Sequence, residues 1–236
     1  MPMAGLGSRT KNFSQNPKPF INLFGVPLFK FALHGLPLER CSKITFVLNE
    51  GDRHFFDSYG RKLLLEFVPQ GLETNVLFTG TTSGQAETVD IALSDEDLAR
   101  PLLIASCDTM VSRDFPADFN NWDGLLGTFW SESPSMSYVR LEGEEVVETA
   151  EKKVISHHAS SGLYYFKEAG EFRRAYRRSQ FHGESYVAPL YNELIKSHAK
   201  VGIWHHKSVT PLGTAEELEA FVSSAKPDLI EAVSNN

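Results

Sequence analysis

The sequence predicts a mixed α/β fold, and three observations lead there. Short apolar, partly β-branched runs, too brief for helices, alternate with stretches of helical spacing. At 236 residues and 42% hydrophobic composition, the chain can bury a substantial core. No repeat, low-complexity tract or Pro/Ser/Gly-rich linker divides it. Residues 1–236 therefore read as one domain, with one half running to about residue 124 and the other from about 125.

Met1-Pro2-Met3-Ala4 runs straight into a glycine-rich loop, so either the first strand is very short or the numbering begins late. Lys43-Ile44-Thr45-Phe46-Val47-Leu48 is compact and β-branched and reads as a buried strand. Residues 64–68 and 102–106 have the same character and are expected as strands. Between them, residues 85–93 carry Ala86, Val89 and Leu93 at helical spacing. This alternation predicts a mostly parallel central sheet flanked by helices.

After residue 125 the pattern changes. Residues 125–130, 137–141, 145–150 and 161–167 read as strands separated by short polar turns, a small antiparallel or mixed extension. Helices are expected over 168–178 and 187–197, and a last strand over 201–205. Thr214-Ala215-Glu216-Glu217 has the capping-box pattern that opens a terminal helix.

Composition excludes several classes of function. The net charge of −7 argues against a large nucleic-acid or anionic-membrane footprint, while leaving room for a local cationic cluster that binds a small phosphorylated ligand. No apolar run approaches the roughly 20 residues of a spanning helix, and no secretory signal pattern is recognisable. Cys41 and Cys107 cannot make a metal tetrad and read as ordinary thiols of a reducing, cytoplasmic compartment.

Two motifs carry the chemistry. In Ala4-Gly5-Leu6-Gly7-Ser8-Arg9, small residues let backbone amides approach a polyphosphate, and Arg9 adds a forked donor for phosphate oxygens. By itself a Gly-x-Gly turn is more often only a turn, and this one matches neither the dinucleotide fingerprint nor the P-loop. In Pro17-Lys18-Pro19-Phe20, two prolines stiffen the segment that presents a lysine.

Together, Gly-x-Gly-Ser-Arg and Pro-Lys-Pro resemble the nucleotidyltransferases that activate sugar 1-phosphates and related compounds such as choline phosphate. The resemblance implies a Rossmann-like (GT-A-like) nucleotidyltransferase fold. It also implies a loop of Ala4, Gly5, Gly7 and Ser8 on the nucleoside triphosphate, with Arg9 and Lys18 neutralising the reacting phosphates. Thr82-Ser83-Gly84-Gln85-Ala86 lies where the family contacts the base, which points to Gly84 and Gln85. Asp108, after an apolar strand, matches the family's ligand for catalytic Mg²⁺; a lone Asp there is as often a turn or cap residue, so this role rests on the resemblance.

Glu151-Lys152 and Ser161-Gly162-Leu163-Tyr164-Tyr165-Phe166 resemble the acceptor-binding stretches. There Glu151 would meet a sugar hydroxyl, Lys152 the acceptor phosphate, and Gly162 would permit close approach. Residues 183–195 and Leu212-Gly213-Thr214 look like a subgroup found in bacterial surface-polysaccharide gene sets, and Glu184 joins the acceptor set. The chain departs from many relatives in one respect: Thr210-Pro211-Leu212-Gly213-Thr214 lacks their second metal-binding Asp, whose place Glu184, Asn192 or water would have to take.

The implied reaction transfers a nucleotidyl group from a nucleoside triphosphate, with CTP, UTP or dTTP favoured, to a small phosphorylated acceptor, releasing pyrophosphate. A nucleotide-sugar glycosyltransferase is the second reading, although such enzymes usually carry Asp-x-Asp where this chain has Ser106-Cys107-Asp108. A non-catalytic nucleotide-binding subunit is the third. The pairs His157-His158 and His205-His206 point apart at i and i+1 and read as loop or strand-end residues. Arg173, Arg174, Arg177 and Arg178 make a solvated helical face.

Overall fold

A computed structural model describes residues 1–235. The chain adopts the expected mixed α/β class, organised as two compact units built from discontinuous stretches. The first comprises residues 1–81, 106–113 and those from 209 onward; the second comprises 82–105 and 114–208.

The first unit holds a three-stranded parallel sheet in the order Pro2–Met3, Lys43–Asn49, Glu73–Thr79. Strand Pro2–Met3 is two residues long. In the central strand Ile44, Phe46, Val47 and Leu48 are all buried, as expected of a parallel strand covered on both faces. Helix Leu28–His34 lies in the crossover before it.

Residues 64–68 correct an expectation: 64–67 belong to helix Arg61–Phe67, which Val68 caps, and none of them to a strand. That helix continues through a π-helical turn, Phe56–Gly60, from Arg53–Phe55. Phe56, Gly60 and Leu64 are buried at i, i+4 and i+8, while Leu65 is 75% exposed. A leucine triplet fits either period, and Leu favours helix where β-branching is absent. A core of Ile21, Leu28, Phe31, Met110, Leu212 and Leu218 joins the later segments of the chain to this unit.

The second unit carries a six-stranded sheet, ordered Glu145–Glu151, Ser137–Glu142, His158–Phe166, Gly124–Trp130, Val201–His205, with Leu102–Ala105 also paired to His158–Phe166. Val201–His205 runs parallel to Gly124–Trp130, and the other pairs are antiparallel. The antiparallel part expected after residue 125 thus also takes in Leu102–Ala105. Helices Gln85–Ala92, Ala169–Arg178 and Tyr191–Lys196 supply Ala86, Val89, Phe172, Ala175, Tyr191 and Leu194 to its core. Among the described residues no helix is long and apolar enough to cross a membrane.

Candidate active site

In the first unit, Ala4 follows the short strand and is buried; its carbonyl accepts a 3.0 Å hydrogen bond from Asn49 Nδ2, at the end of the neighbouring strand. The backbone then turns through Gly7, whose φ of 61° lies in the left-handed region. A Cβ at position 7 would sit 3.1 Å from Lys18 Cβ, so both conformation and close approach favour glycine there. Gly5, Leu6, Ser8 and Arg9 are exposed. A loop of this kind can offer amides and a guanidinium to an anion.

Lys18 opens the short turn Lys18–Phe20 between its two prolines. Its ammonium donates to Asp108 Oδ2 at 2.5 Å and to the Gly213 carbonyl at 3.1 Å. The two ionic side chains are 11% and 23% exposed, so the pair is partly shielded from water. Asp108 precedes strand Thr109–Val111, which pairs antiparallel with Val209–Pro211. The Leu212 amide closes that ladder by donating to the Asp108 carbonyl at 2.8 Å.

Burial alone would push the Asp108 carboxyl up. The Lys18 ammonium, aided by the Arg9 guanidinium, outweighs burial and holds it below the usual carboxylate range. Asp108 is therefore an ionised oxygen donor at neutral pH. Next to it, burial first and the Asp108 charge second push the Cys107 thiol up to about 12, which makes it an inert core thiol; Cys41 is likewise unpaired in any disulfide.

Leu212 is fully buried beside Met110 and Leu218, so the sheet turns that position into the core. Gly213 brings its backbone close to the ion pair, and a Cβ there would lie 3.3 Å from Asp108 Oδ2. The capping box forms as expected: Glu217 N donates to Thr214 Oγ1, and Glu217 Oε2 accepts from the Gly213 and Thr214 amides at 2.7 and 3.0 Å.

Among the described residues no three His, Cys, Asp or Glu side chains form a metal cage. Asn192 does not serve as a replacement ligand, because its amide is spent on the backbone N–H and C=O of Thr149. Glu184 accepts from the Tyr186 hydroxyl. What remains is one ionised carboxylate at Asp108. That donor set fits a hard divalent ion that takes few protein ligands and fills its shell with phosphate oxygens and water.

In the second unit, Gly84 stands at φ 154° before helix Gln85–Ala92, of which Gln85 is the first residue. A Cβ on Gly84 would lie 2.6 Å from both the N and O of Ser185. Glu151 ends its strand opposite Ser137, whose hydroxyl donates to the Glu151 carboxylate. Lys152 follows at φ 52°, a left-handed conformation rare for a residue with a side chain and a form of local strain. Its ammonium donates to Tyr186 OH at 2.6 Å, and Tyr186 OH donates to Glu184 Oε2 at 2.5 Å. These bonds raise the Lys152 pKa, the Tyr186 hydrogen bond first and the nearby charges after it. Gly162, at φ 81°, sits where the register of strand His158–Phe166 shifts between Ser160 and Tyr164.

The structure thus gathers Lys18, Asp108 and Gly7 in one unit, with Arg9 near enough to act on Asp108, and Glu151, Lys152 and Glu184 in the other. Sequence reasoning missed Tyr186, Ser137, Ser185 and the Gly213 carbonyl. Tyr186 lies two residues from Glu184 in a stretch already singled out, which was a usable signal. Ser137 meets Glu151 only through strand register, which no local motif reports. Among the bland features, His157 stacks on Trp130, His206 is buried against Asp114, and Arg173 pairs with Asp90.

Glu151 yields a pH prediction. Burial raises its pKa, and Glu184 adds to the rise, against the hydrogen bond from Ser137 and the charge of Lys152. For a raised carboxyl, the stabilisation of the protonated form is complete below the unfolded value of about 4.3 and is lost as pH rises through the folded value. Glu151→Gln is therefore expected to raise the melting midpoint at pH 7 relative to wild type, with the difference vanishing below about pH 4. Melting curves across that range check it, and equal midpoints at pH 7 would refute it.

No protein-family model matches the chain, and no curated protein matches it in sequence. Solved structures do. A nucleoside-diphosphate-sugar pyrophosphorylase from Vibrio cholerae RC9 is 27% identical, with a TM-score of 0.78 over 95% of this chain and 100% of that one. The inositol-1-phosphate CTP transferase from T. maritima shares the fold at 15% identity, with a TM-score of 0.76 over 99% of this chain and 93% of that one. The shared fold and the likeness to the Vibrio protein together support an enzyme of the nucleotidyltransferase class. Within that class, the chain is consistent with the sugar-phosphate nucleotidyltransferase family, of pyrophosphorylase type.

Proposed function

We propose that this enzyme transfers a nucleotidyl group from a pyrimidine nucleoside triphosphate (CTP, UTP or dTTP) to a sugar 1-phosphate or similar small phosphorylated acceptor. The acceptor phosphate oxygen forms a bond to the α-phosphorus, the bond from that phosphorus to the β-phosphate bridge breaks, and pyrophosphate leaves. The observation that carries this reading is Lys18, held between Asp108 and the Gly213 carbonyl and packed against Gly7 of the glycine loop.

Both reactants are anions, so the protein's task is to bring them together and balance gathering negative charge. Ala4, Gly5, Gly7 and Ser8 would cradle the triphosphate, with Arg9 and Lys18 supplying positive charge. Gly84 and Gln85 would meet the base. Lys152 would take the acceptor phosphate, Glu151 and Glu184 its hydroxyl groups, and the backbone turn at Gly162 would leave room for it. A divalent ion, taken as Mg²⁺, would be held by Asp108 and would offset phosphate charge. The product would be an activated precursor for surface-polysaccharide synthesis in the cytoplasm, a role supported by the likeness of residues 183–195 to that subgroup.

Thermal unfolding with Mg²⁺ and each of CTP, UTP, dTTP, GTP and ATP tests the donor. At one hundred times Kd a ligand adds about 2.7 kcal/mol, or roughly 5–11 °C for a chain of this size. A shift with one pyrimidine triphosphate, followed by pyrophosphate release with sugar 1-phosphates, is the expected result. A folded sample that responds to no triphosphate would overturn the reading.

A further inference from the structure

Ser185 joins two groups of residues that the proposed function uses separately. On one side it is zipped to the loop before helix Gln85–Ala92. The Ser185 amide donates to the Ser83 carbonyl at 2.9 Å, and the Ala86 amide donates to the Ser185 carbonyl at 2.9 Å. Its hydroxyl accepts from Ser83 Oγ at 3.1 Å and from the Glu87 amide at 3.3 Å. Two first-turn amides of the helix, which would otherwise lack partners, are thus satisfied by a residue 98 positions beyond Glu87. Ser185 is 0% exposed, and Gly84 packs on it so closely that no side chain fits.

On the other side, the immediate neighbours of Ser185 control Lys152. Tyr186 OH accepts from the Lys152 ammonium, and Tyr186 in turn donates to Glu184. Consecutive Cα atoms are only about 3.8 Å apart, so Glu184 and Tyr186 cannot hold still when Ser185 moves. Every polar group of Ser185 is committed to the 83–87 segment, so Ser185 must move with it. Gly183, at φ 109°, precedes the clasp at a position where the backbone has left-handed freedom.

We propose that Ser185 is a positioning residue: by clasping the Ser83–Gly84 loop, it couples nucleotide binding there to the placement of Lys152 for the acceptor phosphate. The coupling rests on the proposed function, which assigns the base to Gly84 and Gln85 and the acceptor to Lys152. A ligand that orders the loop lowers the cost of the clasped arrangement, and by linkage an acceptor held by Lys152 tightens the nucleotide by the same factor.

Amide hydrogen exchange on the full chain, with Mg²⁺ and each of CTP, UTP, dTTP, GTP and ATP, tests this on residues 82–93 and 183–187, read beside the melting midpoint. The triphosphate that raises the midpoint is expected to slow exchange in both segments of the wild type. In Ser185→Ala, which keeps the backbone pair and loses the hydroxyl with the two hydrogen bonds it accepts, the response of 183–187 is expected to shrink, and the KM for an acceptor found by pyrophosphate release to rise about fivefold or more with kcat nearly unchanged. Protection of 82–93 with no change at 183–187 in the wild type overturns the coupling and leaves the nucleotidyl-transfer reading standing. An unaltered 183–187 response in Ser185→Ala overturns the role of the hydroxyl. If no triphosphate shifts the midpoint, the functional reading fails and the coupling fails with it.

Discussion

Replacing Lys18 with alanine is expected to lower kcat by about 10²–10³, equivalent to roughly 3–4 kcal/mol of transition-state stabilisation. The magnitude is that of losing one preorganised donor at a site of developing charge. Lys18 meets that description because its ammonium is already oriented by Asp108 and Gly213, so little reorganisation is needed when phosphates arrive. Lys18→Arg is not expected to restore turnover. A planar guanidinium cannot occupy the point where Nζ meets Asp108 at 2.5 Å, on a stem that passes Gly7 closely. Pyrophosphate release with the donor identified by thermal shift measures the effect, and near-normal turnover in Lys18→Ala would remove the lysine from the chemistry.

The same substitution carries a signature in acid. Although burial opposes it, the Lys18 charge helps to hold the Asp108 carboxyl low. For a depressed carboxyl, the stabilisation is present above the unfolded value of about 3.9 and is lost as pH falls through the lower folded value. Lys18→Ala gives up that stabilisation, so its stability deficit should be seen at neutral pH and should shrink below about pH 4. A deficit independent of pH would mean that the lysine acts through packing alone.

Gly84→Ala is expected to be the most damaging glycine substitution near the candidate site. The new Cβ would lie 2.6 Å from the Ser185 amide nitrogen and carbonyl oxygen, both of which are hydrogen-bonded and cannot retreat cheaply. The backbone at φ 154°, ψ −172° adds strain of about 1–3 kcal/mol for any residue with a side chain. With overpacking of similar size, the total is about 4 kcal/mol, or roughly 8–16 °C in melting midpoint. The triphosphate-induced shift should fall with it. Gly5→Ala is the control: nothing lies within 4 Å of its Cβ, and stability should change by no more than about 0.5 kcal/mol. If both variants melt together, the clasp does not constrain the loop.

What the sequence determined by itself was whatever a short window encodes. The Thr214–Glu217 capping box formed because its two bonds close within four residues. Strands Lys43–Asn49 and Val201–His205 and helix Gln85–Ala92 followed from β-branching and spacing. Residues 64–68 show the limit of such windows, because a leucine triplet satisfies two periods until packing against a core selects one.

Only the tertiary structure decided the partners. Lys18 and Asp108 are 90 residues apart, and Lys18 and Gly213 are 195 apart, so no local pattern could announce a single ammonium serving both. Antiparallel pairing of Thr109–Val111 with Val209–Pro211 turned Leu212 into the core and left Gly213 at the ion pair. Strand register set Ser137 against Glu151, and a buried serine tied Gly84 to the residues that hold Lys152. The reason is geometric. Backbone propensity and side-chain period act over a few residues, whereas a site is made by hydrogen bonds and close contacts among segments that meet only after the chain has folded.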